Sequence, residues 1–217
     1  MSKTAYILSN IGTPEAPTTE AVRPYLTEFL TDPDVIPLPW LLRQALVRGW
    51  IVPRRAPASA KKYQQIWTEA GSPLMVNSLL LQKNLQKYLE GPVLLGMQFG
   101  SPSMKSAMQT AMEEGAEKIV LVPLYPQFAE ATTGSAIKKA ASLAGTLKFS
   151  GELKIFGAFP VADFFLQPLA NLIREARGGE DHILFTFHGL PESQIKKNSG
   201  CALNPSCCER ALAEVGN

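Results

Sequence analysis

The chain has 217 residues, of which 46% are hydrophobic and 18% are charged, and its formal net charge is +2. This composition suits a packed α/β protein, and the near-neutral charge gives no indication of nucleic acid as a partner. No window is apolar over the roughly 18 residues that a membrane-spanning helix needs, and the N-terminus lacks the apolar region of an export signal, so we expect a cytoplasmic protein.

Strand and helix patterns alternate along the chain. The apolar run at 5–10 predicts the first strand, and the hydroxyls of Thr18 and Thr19 offer the N-terminal cap of a helix that ends before Asp32 and Pro33. Further strands are predicted at 93–97, 119–124, 153–156 and 183–187, and further helices at 71–90, 103–114, 132–143 and 161–176. Because helices separate the strands, the sequence indicates an α/β fold with parallel, doubly wound sheets. In the helix at 71–90 we expect five leucines to be buried: Leu79, Leu80, Leu81, Leu85 and Leu89.

A break at 145–151 marks the predicted domain boundary. Residues 1–147 would form a first α/β domain, and residues 148–217 would form the beginning of a second. The two strands predicted after the break provide too little core to fold alone, so we expect further chain beyond Asn217.

The segment 35–53 carries apolar residues at helical spacing. One side holds Leu38, Leu41, Leu42, Ala45, Leu46 and Trp50, and the other holds Arg43, Gln44 and Arg48. Such a helix packs against a core, lines a hydrophobic pocket or lies at a membrane surface. Two of the three tryptophans fall in this segment, which favours a binding surface. Arg54 and Arg55 follow directly and would either pair with carboxylates of a ligand or be solvated.

The stretch 183–191 is predicted to be a buried parallel strand that ends at His188. Ligands of open α/β sheets bind outside the carboxyl ends of the strands, so His188 is a candidate catalytic residue. The alternative is a structural histidine that is hydrogen-bonded to a loop.

Residues 125–135 follow a predicted strand and begin a helix. Free backbone N–H groups and hydroxyls there could hold an anionic group of a ligand, or Thr132 and Thr133 could simply cap the helix. The glycine patterns of phosphate-binding and dinucleotide-binding loops are not present.

All three cysteines lie near the C-terminus: Cys201, Cys207 and Cys208. In a cytosolic protein such clustering indicates metal or iron–sulfur ligation rather than disulfides. Three thiolates are one ligand short of a four-ligand site, and three unliganded thiols are the alternative.

The order of these motifs resembles that of the ferrochelatases, which insert ferrous iron into a porphyrin at the end of haem synthesis. The resemblance runs through the whole chain in stretches that follow the order of the family: 8–14, 29–33, 63–73, 96–102, 125–135 and 185–191. It implies a lyase-type metal chelatase with two Rossmann-like, chelatase-type domains and a porphyrin cleft between them. Its substrates would be ferrous iron and a porphyrin, either protoporphyrin IX, which we favour, or coproporphyrin.

The resemblance also implies roles for particular residues. His188 would be the metal-site residue and the acceptor of pyrrole protons, and the segment 35–53 would form an apolar lip of the cleft, with peripheral membrane contact. Ile11 would lie over the macrocycle. The implied cleft residues are Ile11, Leu38, Leu41, Arg54, Gln98, Phe99, Tyr125 and Ser135.

Two departures from the family pattern bear on activity. The Gly-x-Arg-Tyr of many relatives is replaced here by residues 96–99, with Gln98 and Phe99 in the last two positions, so contacts through this loop are altered. The glutamate that the family places opposite the histidine has no counterpart in the chain. We therefore expect the 217 residues alone to be inactive.

In some bacterial ferrochelatases a [2Fe–2S] cluster is bound by cysteines that follow the histidine motif. Cys201, Cys207 and Cys208 match that location, and a fourth ligand would lie outside this chain. The competing hypotheses are a non-catalytic tetrapyrrole or metal carrier of the same fold, a cobalt or nickel chelatase, and a redox-sensing domain.

Overall fold

The computed structural model describes residues 3–179, 182–190 and 192. Its centre is a parallel sheet of four strands in the order β2-β1-β3-β4. The strands are β1 (Thr4–Ser9), β2 (Val93–Leu95), β3 (Lys118–Pro123) and β4 (Glu152–Ile155). The helices of the described part are α1 (Thr19–Leu30), α2 (Trp40–Leu46), α3 (Val52–Ile66), α4 (Pro73–Leu85), α5 (Met104–Glu113), α6 (Ser135–Thr146) and α7 (Asp163–Arg177), with π-helical turns at Val47–Ile51 and Glu130–Gly134.

Helices cover both faces of the sheet, which confirms the predicted doubly wound α/β class. Ala5 and Ile7 of β1 point to one face, where they pack with buried residues of α5 and α6. Leu8 points to the other face, where partly buried residues of α4 cover it. Parallel strands that are buried on both faces consist of nearly continuous apolar residues instead of alternating apolar and polar ones. This explains the apolar runs from which the strands were predicted.

Besides the apolar cores on the two faces of the sheet, a third apolar cluster joins α1 to α3. It includes Phe99, which follows β2. Of the two hydroxyls predicted to cap α1, that of Thr18 does so, because its oxygen accepts from the amide of Ala21 at 3.3 Å. The cluster therefore supports the loops at the carboxyl edge of the sheet.

The leucine prediction for α4 is partly wrong. Leu85 and Leu89 are partly buried, but Leu79, Leu80 and Leu81 are exposed. Consecutive helical residues point in directions about 100° apart, so three in a row cannot share one buried face. The buried stripe instead includes Ser78, whose hydroxyl donates to the carbonyl of Leu74.

The predicted strand at 183–187 is not formed in the described structure. These residues have no regular secondary structure, and Leu184 and Phe187 are 89% and 84% exposed. A strand needs a neighbour to receive its backbone hydrogen bonds, and none of the four described strands pairs with this stretch.

The first sheet extends past the predicted boundary between residues 147 and 148. β4 pairs in parallel with β3, with Lys118 opposite Glu152 and Leu121 opposite Ile155. The strand that we assigned to a second domain is thus part of the first sheet, while the division of the chain into two domains stays a prediction. No helix in the described part is long and apolar enough to cross a membrane.

Candidate functional site

The loops that follow β1, β2 and β3 meet at the carboxyl edge of the sheet. The amide of Gln98 donates to the carbonyl of Asn10 at 2.8 Å, and the amide of Phe99 donates to that of Ile11 at 3.1 Å. The carboxyl ends of parallel strands lie at the same edge of the sheet, so the loops that follow these strands are neighbours in space. The structure therefore brings four predicted cleft residues into one region: Ile11, Gln98, Phe99 and Tyr125.

Gly12 permits the close approach of the first two loops. Its φ is +93°, and a Cβ built on it would lie 1.8 Å from the carbonyl oxygen of Phe99. Only glycine has neither the steric penalty at this φ nor the side-chain atom that would collide.

Gln98 is completely buried, and both the oxygen and the nitrogen of its side-chain amide form hydrogen bonds. Its Oε1 accepts from the hydroxyl of Tyr125 at 2.9 Å, and its Nε2 donates to the carbonyl of Thr132 at 3.3 Å. Burial raises the pKa of the Tyr125 phenol, so this group stays a donor at every physiological pH. The three residues join the loop after β2 to the loop after β3.

Phe99 lies beneath this network, in the third apolar cluster. The Phe99 ring packs edge-on against that of Phe29, with 5.2 Å between the ring centroids. The ammonium of Lys139 lies 5.2 Å from the centroid of the Phe99 ring. Ile11 is partly buried against the same cluster. The predicted cleft residues Gln98 and Phe99 are thus buried in this structure, and their place in a porphyrin cleft stays a prediction.

A cleft of about 320 Å³ opens beside Phe99. The hydroxyl of Ser135 donates to a carboxylate oxygen of Asp32 at 2.8 Å. Lys138 lies 2.8 Å from Asp34 and 3.0 Å from Glu130, and hydrogen bonds to these two carboxylates raise its pKa. The lining residues are Glu28, Thr31, Asp32, Pro33, Asp34, Phe99, Ser135, Lys138 and Lys139.

Most of this charged lining was missed in the sequence analysis. Asp32 lies in one of the family-like stretches and could have been found there. Glu28, Lys138 and Lys139 come from positions of α1 and α6 that carry no motif, so only the fold brings them together.

The hydroxyls after β3 do not act as simple helix caps. The residues that cap the Glu130–Gly134 turn and α6 are Ala129 and Gly134, and neither makes a side-chain cap hydrogen bond. Thr132 donates to the carbonyl of Ala129 at 3.3 Å, and the buried hydroxyl of Thr133 has no hydrogen-bond partner among the described residues. The capping alternative is therefore wrong, and an anion-binding role for this loop stays a prediction.

The apolar segment 35–53 is helical from residue 40 onward, and its apolar side is exposed. Leu41 is 73% exposed, and Leu38, Trp40, Leu42 and Trp50 are exposed with it. The segment packs on the core through a different face, which includes the buried residues Val47 and Val52. The exposed apolar face is therefore additional to the packed one, and its role as a pocket lining or a membrane surface stays a prediction. Arg54 is also exposed, and its guanidinium lies 4.8 Å from the centre of the Trp50 ring.

Arg43 is the buried charged residue of this segment. The sequence places it on the side opposite the apolar residues, with Gln44 and Arg48, yet it is only 7% exposed. Its guanidinium donates to the carbonyl of Leu38 at 2.6 Å and to that of Ile36 at 3.4 Å. The preceding loop folds back over the helix and needs donors for its free carbonyls, which a helical projection alone cannot reveal.

His188 lies apart from this network in the described structure. Its side chain is exposed, and it makes no hydrogen bond or ion pair with another described residue. The three cysteines fall outside the described residues. Among the residues that are described, no group of three or more His, Cys, Asp or Glu side chains could hold a metal ion.

The known proteins that this chain resembles are ferrochelatases. The family model described as Ferrochelatase matches residues 3–211. The chain is 40% identical over 212 residues to the ferrochelatase of Bdellovibrio bacteriovorus, a match that covers 96% of the chain and 63% of the relative. It is 38% identical to that of Azotobacter vinelandii, covering 99% of the chain and 65% of the relative. It is 40% identical to the ferrochelatase of Legionella pneumophila, a match that covers 93% of the chain and 61% of the relative.

The chain thus spans less than two thirds of the length of these relatives. The match nevertheless includes the carboxyl edge of the sheet, the exposed apolar segment and His188. With nearly the whole chain matched, it belongs to the ferrochelatase family.

Proposed function

We propose that this chain provides the first domain and part of the cleft of a ferrochelatase, which inserts ferrous iron into a porphyrin. The observation that carries the proposal is the family match over residues 3–211, within which all nine predicted cleft and catalytic residues fall. The exposed apolar face of segment 35–53 supports it, because a flat macrocycle is held mainly by apolar contact.

His188 is the proposed acceptor of the pyrrole protons. Metallation removes two N–H protons from the macrocycle, and a histidine imidazole is a common proton acceptor in enzymes. The neutral ring nitrogen is also a suitable ligand for the arriving divalent iron. Ile11, Leu38 and Leu41 would cover the macrocycle, and the network around Gln98 and Tyr125 would keep the wall beneath it rigid.

Binding and metallation are tested separately. Porphyrin binding is measured on the 217-residue chain from quenching of tryptophan fluorescence by protoporphyrin IX in detergent. We expect saturable binding, and a chain that binds no porphyrin would contradict the proposal.

Metallation needs the part of the protein that the relatives have beyond the match. We therefore propose fusing the chain to the remaining C-terminal part of the Bdellovibrio bacteriovorus relative and following zinc or ferrous iron insertion by absorption. His188→Ala should abolish insertion and spare binding, whereas the matched variant His182→Ala should keep both. Equal activity of the two variants would exclude His188 as the proton acceptor, and insertion by the 217 residues alone would contradict their expected inactivity.

The same fusion distinguishes the metal. A cobalt or nickel chelatase would insert those ions faster than iron, and a carrier would bind porphyrin without metallating it.

We also propose a [2Fe–2S] cluster bound through Cys201, Cys207 and Cys208. Thiolates are the ligands such clusters take, and one more ligand is needed to complete four. Visible absorption of anaerobically prepared fusion protein tests this, with Cys201→Ser as the variant that should lose the colour. A colourless wild-type preparation would rule the cluster out.

Finally, we propose a cytoplasmic location with peripheral membrane contact through segment 35–53. Exposed tryptophans and leucines beside arginines suit the lipid interface. Sedimentation with anionic vesicles should be reduced by Trp50→Ser and unchanged by Tyr88→Ser, since Tyr88 is an even more exposed aromatic residue outside segment 35–53. Absence of wild-type sedimentation would contradict membrane contact.

A further inference from the structure

Residues 98–100 are held from two sides. On the sheet side, the amides of Gln98 and Phe99 donate to the carbonyls of Asn10 and Ile11. On the opposite side, the only polar groups that reach the backbone of this segment among the described residues belong to Glu28 of α1 and Lys139 of α6.

Glu28 and Lys139 contact the segment at three places. A carboxylate oxygen of Glu28, Oε2, accepts from the amide of Gly100 at 2.8 Å, and the other, Oε1, lies 3.1 Å from the Lys139 ammonium. Lys139 in turn donates to the carbonyl of Gln98 and lies 5.2 Å from the centre of the Phe99 ring. The two charged groups thus bind the first and last residues of the segment and each other.

The surroundings favour a fixed geometry over a mobile surface pair. The side chains of Lys139 and Glu28 are 29% and 46% exposed, so each is partly withdrawn from water. Hydrogen bonds from charged groups to backbone partners are stronger than those between neutral groups. Gly100 has a φ of +80°, a conformation whose amide direction is set by such a partner rather than by a helix or strand.

We propose that Lys139 and Glu28 are positioning residues, which hold the 98–100 segment so that Gln98 and Phe99 support the porphyrin-binding wall. This inference rests on the proposed function and deepens it. Neither residue needs to touch the porphyrin, since both act through the backbone of the segment.

The first test measures the affinity of the 217-residue chain for protoporphyrin IX by tryptophan quenching. Lys139→Met should weaken binding about tenfold, and Lys139→Arg should restore most of the affinity. The matched control is Lys118→Met, which breaks the Lys118–Glu152 ion pair of similar exposure at the opposite edge of the sheet and should leave affinity unchanged. Equal affinity of Lys139→Met and wild type would overturn the positioning role alone, whereas a wild-type chain that binds no porphyrin would overturn the proposed function first.

A second test excludes direct contact between Lys139 and a porphyrin carboxylate. If Lys139 were a direct ligand, Glu28→Gln would free its charge and strengthen binding, and the dimethyl ester of protoporphyrin IX would be insensitive to Lys139→Met. A positioning role requires the opposite results. Glu28→Gln should weaken binding, and Lys139→Met should weaken binding of the dimethyl ester as much as it weakens binding of the free porphyrin. Exchange of the Gly100 amide with deuterium should also be at least tenfold faster in both variants, and unchanged exchange would overturn the proposal even if affinity fell.

Discussion

The hydroxyl of Tyr125 donates a 2.9 Å hydrogen bond to Oε1 of Gln98, a residue that has no exposed surface. An uncharged amide can be buried at the edge of a sheet only if both of its ends find partners, and Thr132 supplies the second. The consequence is a rigid connection between two loops that the sequence separates by some 27 positions.

Replacing Tyr125 with phenylalanine tests this connection. The variant keeps the ring but leaves the buried Gln98 oxygen without a donor, so we expect the free energy of unfolding to fall by about 1–3 kcal/mol. Urea denaturation followed by circular dichroism measures it. The same exchange at Tyr88, which is exposed, should change stability by less than about 0.5 kcal/mol. Equal stability of the two variants would show that the hydrogen bond contributes nothing.

The exposed apolar face of segment 35–53 should contribute to binding and not to folding. Leu41 is 73% exposed, so Leu41→Ser should leave the free energy of unfolding within about 0.5 kcal/mol of wild type while lowering affinity for protoporphyrin IX. The comparison is Leu26→Ser in α1, which removes a buried leucine and should cost about 2–5 kcal/mol. A large loss of stability in Leu41→Ser would mean that this face packs within the protein.

The features that the sequence predicts well are those that neighbouring residues determine. The strand at 5–10, the hydroxyl cap at Thr18 or Thr19 and the helix at 103–114 are all predicted from short stretches of sequence. Ser103 accepts from the amide of Ser106 as such a cap should. The family stretches then locate the loops at the carboxyl edge, because they surround the ends of these strands.

The features that the sequence does not predict depend on distant partners. Arg43 is buried because a preceding loop presents carbonyls to it, and Leu79 is exposed because Leu74 and Leu85 occupy the face toward β2. The stretch 183–187 has the composition of a strand, yet composition cannot supply the neighbouring strand that it needs. For the same reason Lys139 and Glu28, about 111 residues apart, carried no signal.

Gly12 should tolerate no side chain. In Gly12→Ala the new Cβ would meet the carbonyl oxygen of Phe99 at 1.8 Å, and this neighbour is backbone that cannot rotate away. Gly115→Ala is the matched control, since Gly115 also has a positive φ, +77°, but has open space around it. The control should cost only the strain of the left-handed conformation, about 1–2 kcal/mol. We expect Gly12→Ala to lower the stability of the protein several times as much as Gly115→Ala. Thermal denaturation of the two variants measures both losses. Equal losses would mean that the loops after β1 and β2 can move apart without a cost in stability.

Stability should fall at alkaline pH through Tyr25. Burial, with smaller contributions from Tyr63 and other neighbours, raises the pKa of the Tyr25 phenol far above its usual value near 10. Below pH 10 both the folded and the unfolded chain keep this proton, so the group adds no pH dependence. Above pH 10 the unfolded chain releases the proton while the folded chain retains it, and the free energy of unfolding declines by about 1.4 kcal/mol per pH unit from this group.

Tyr25→Phe isolates that contribution. The variant also loses the 3.2 Å hydrogen bond from the Tyr25 hydroxyl to the carbonyl of Gly12, so its stability at neutral pH should be lower. Its decline above pH 10 should nevertheless be shallower than that of wild type, because one retained proton has been removed. Urea denaturation at a series of pH values from neutral to alkaline gives both slopes. Parallel slopes would mean that the Tyr25 phenol ionises as readily in the folded protein as in the unfolded chain, and that the α1 helix does not shield it from water.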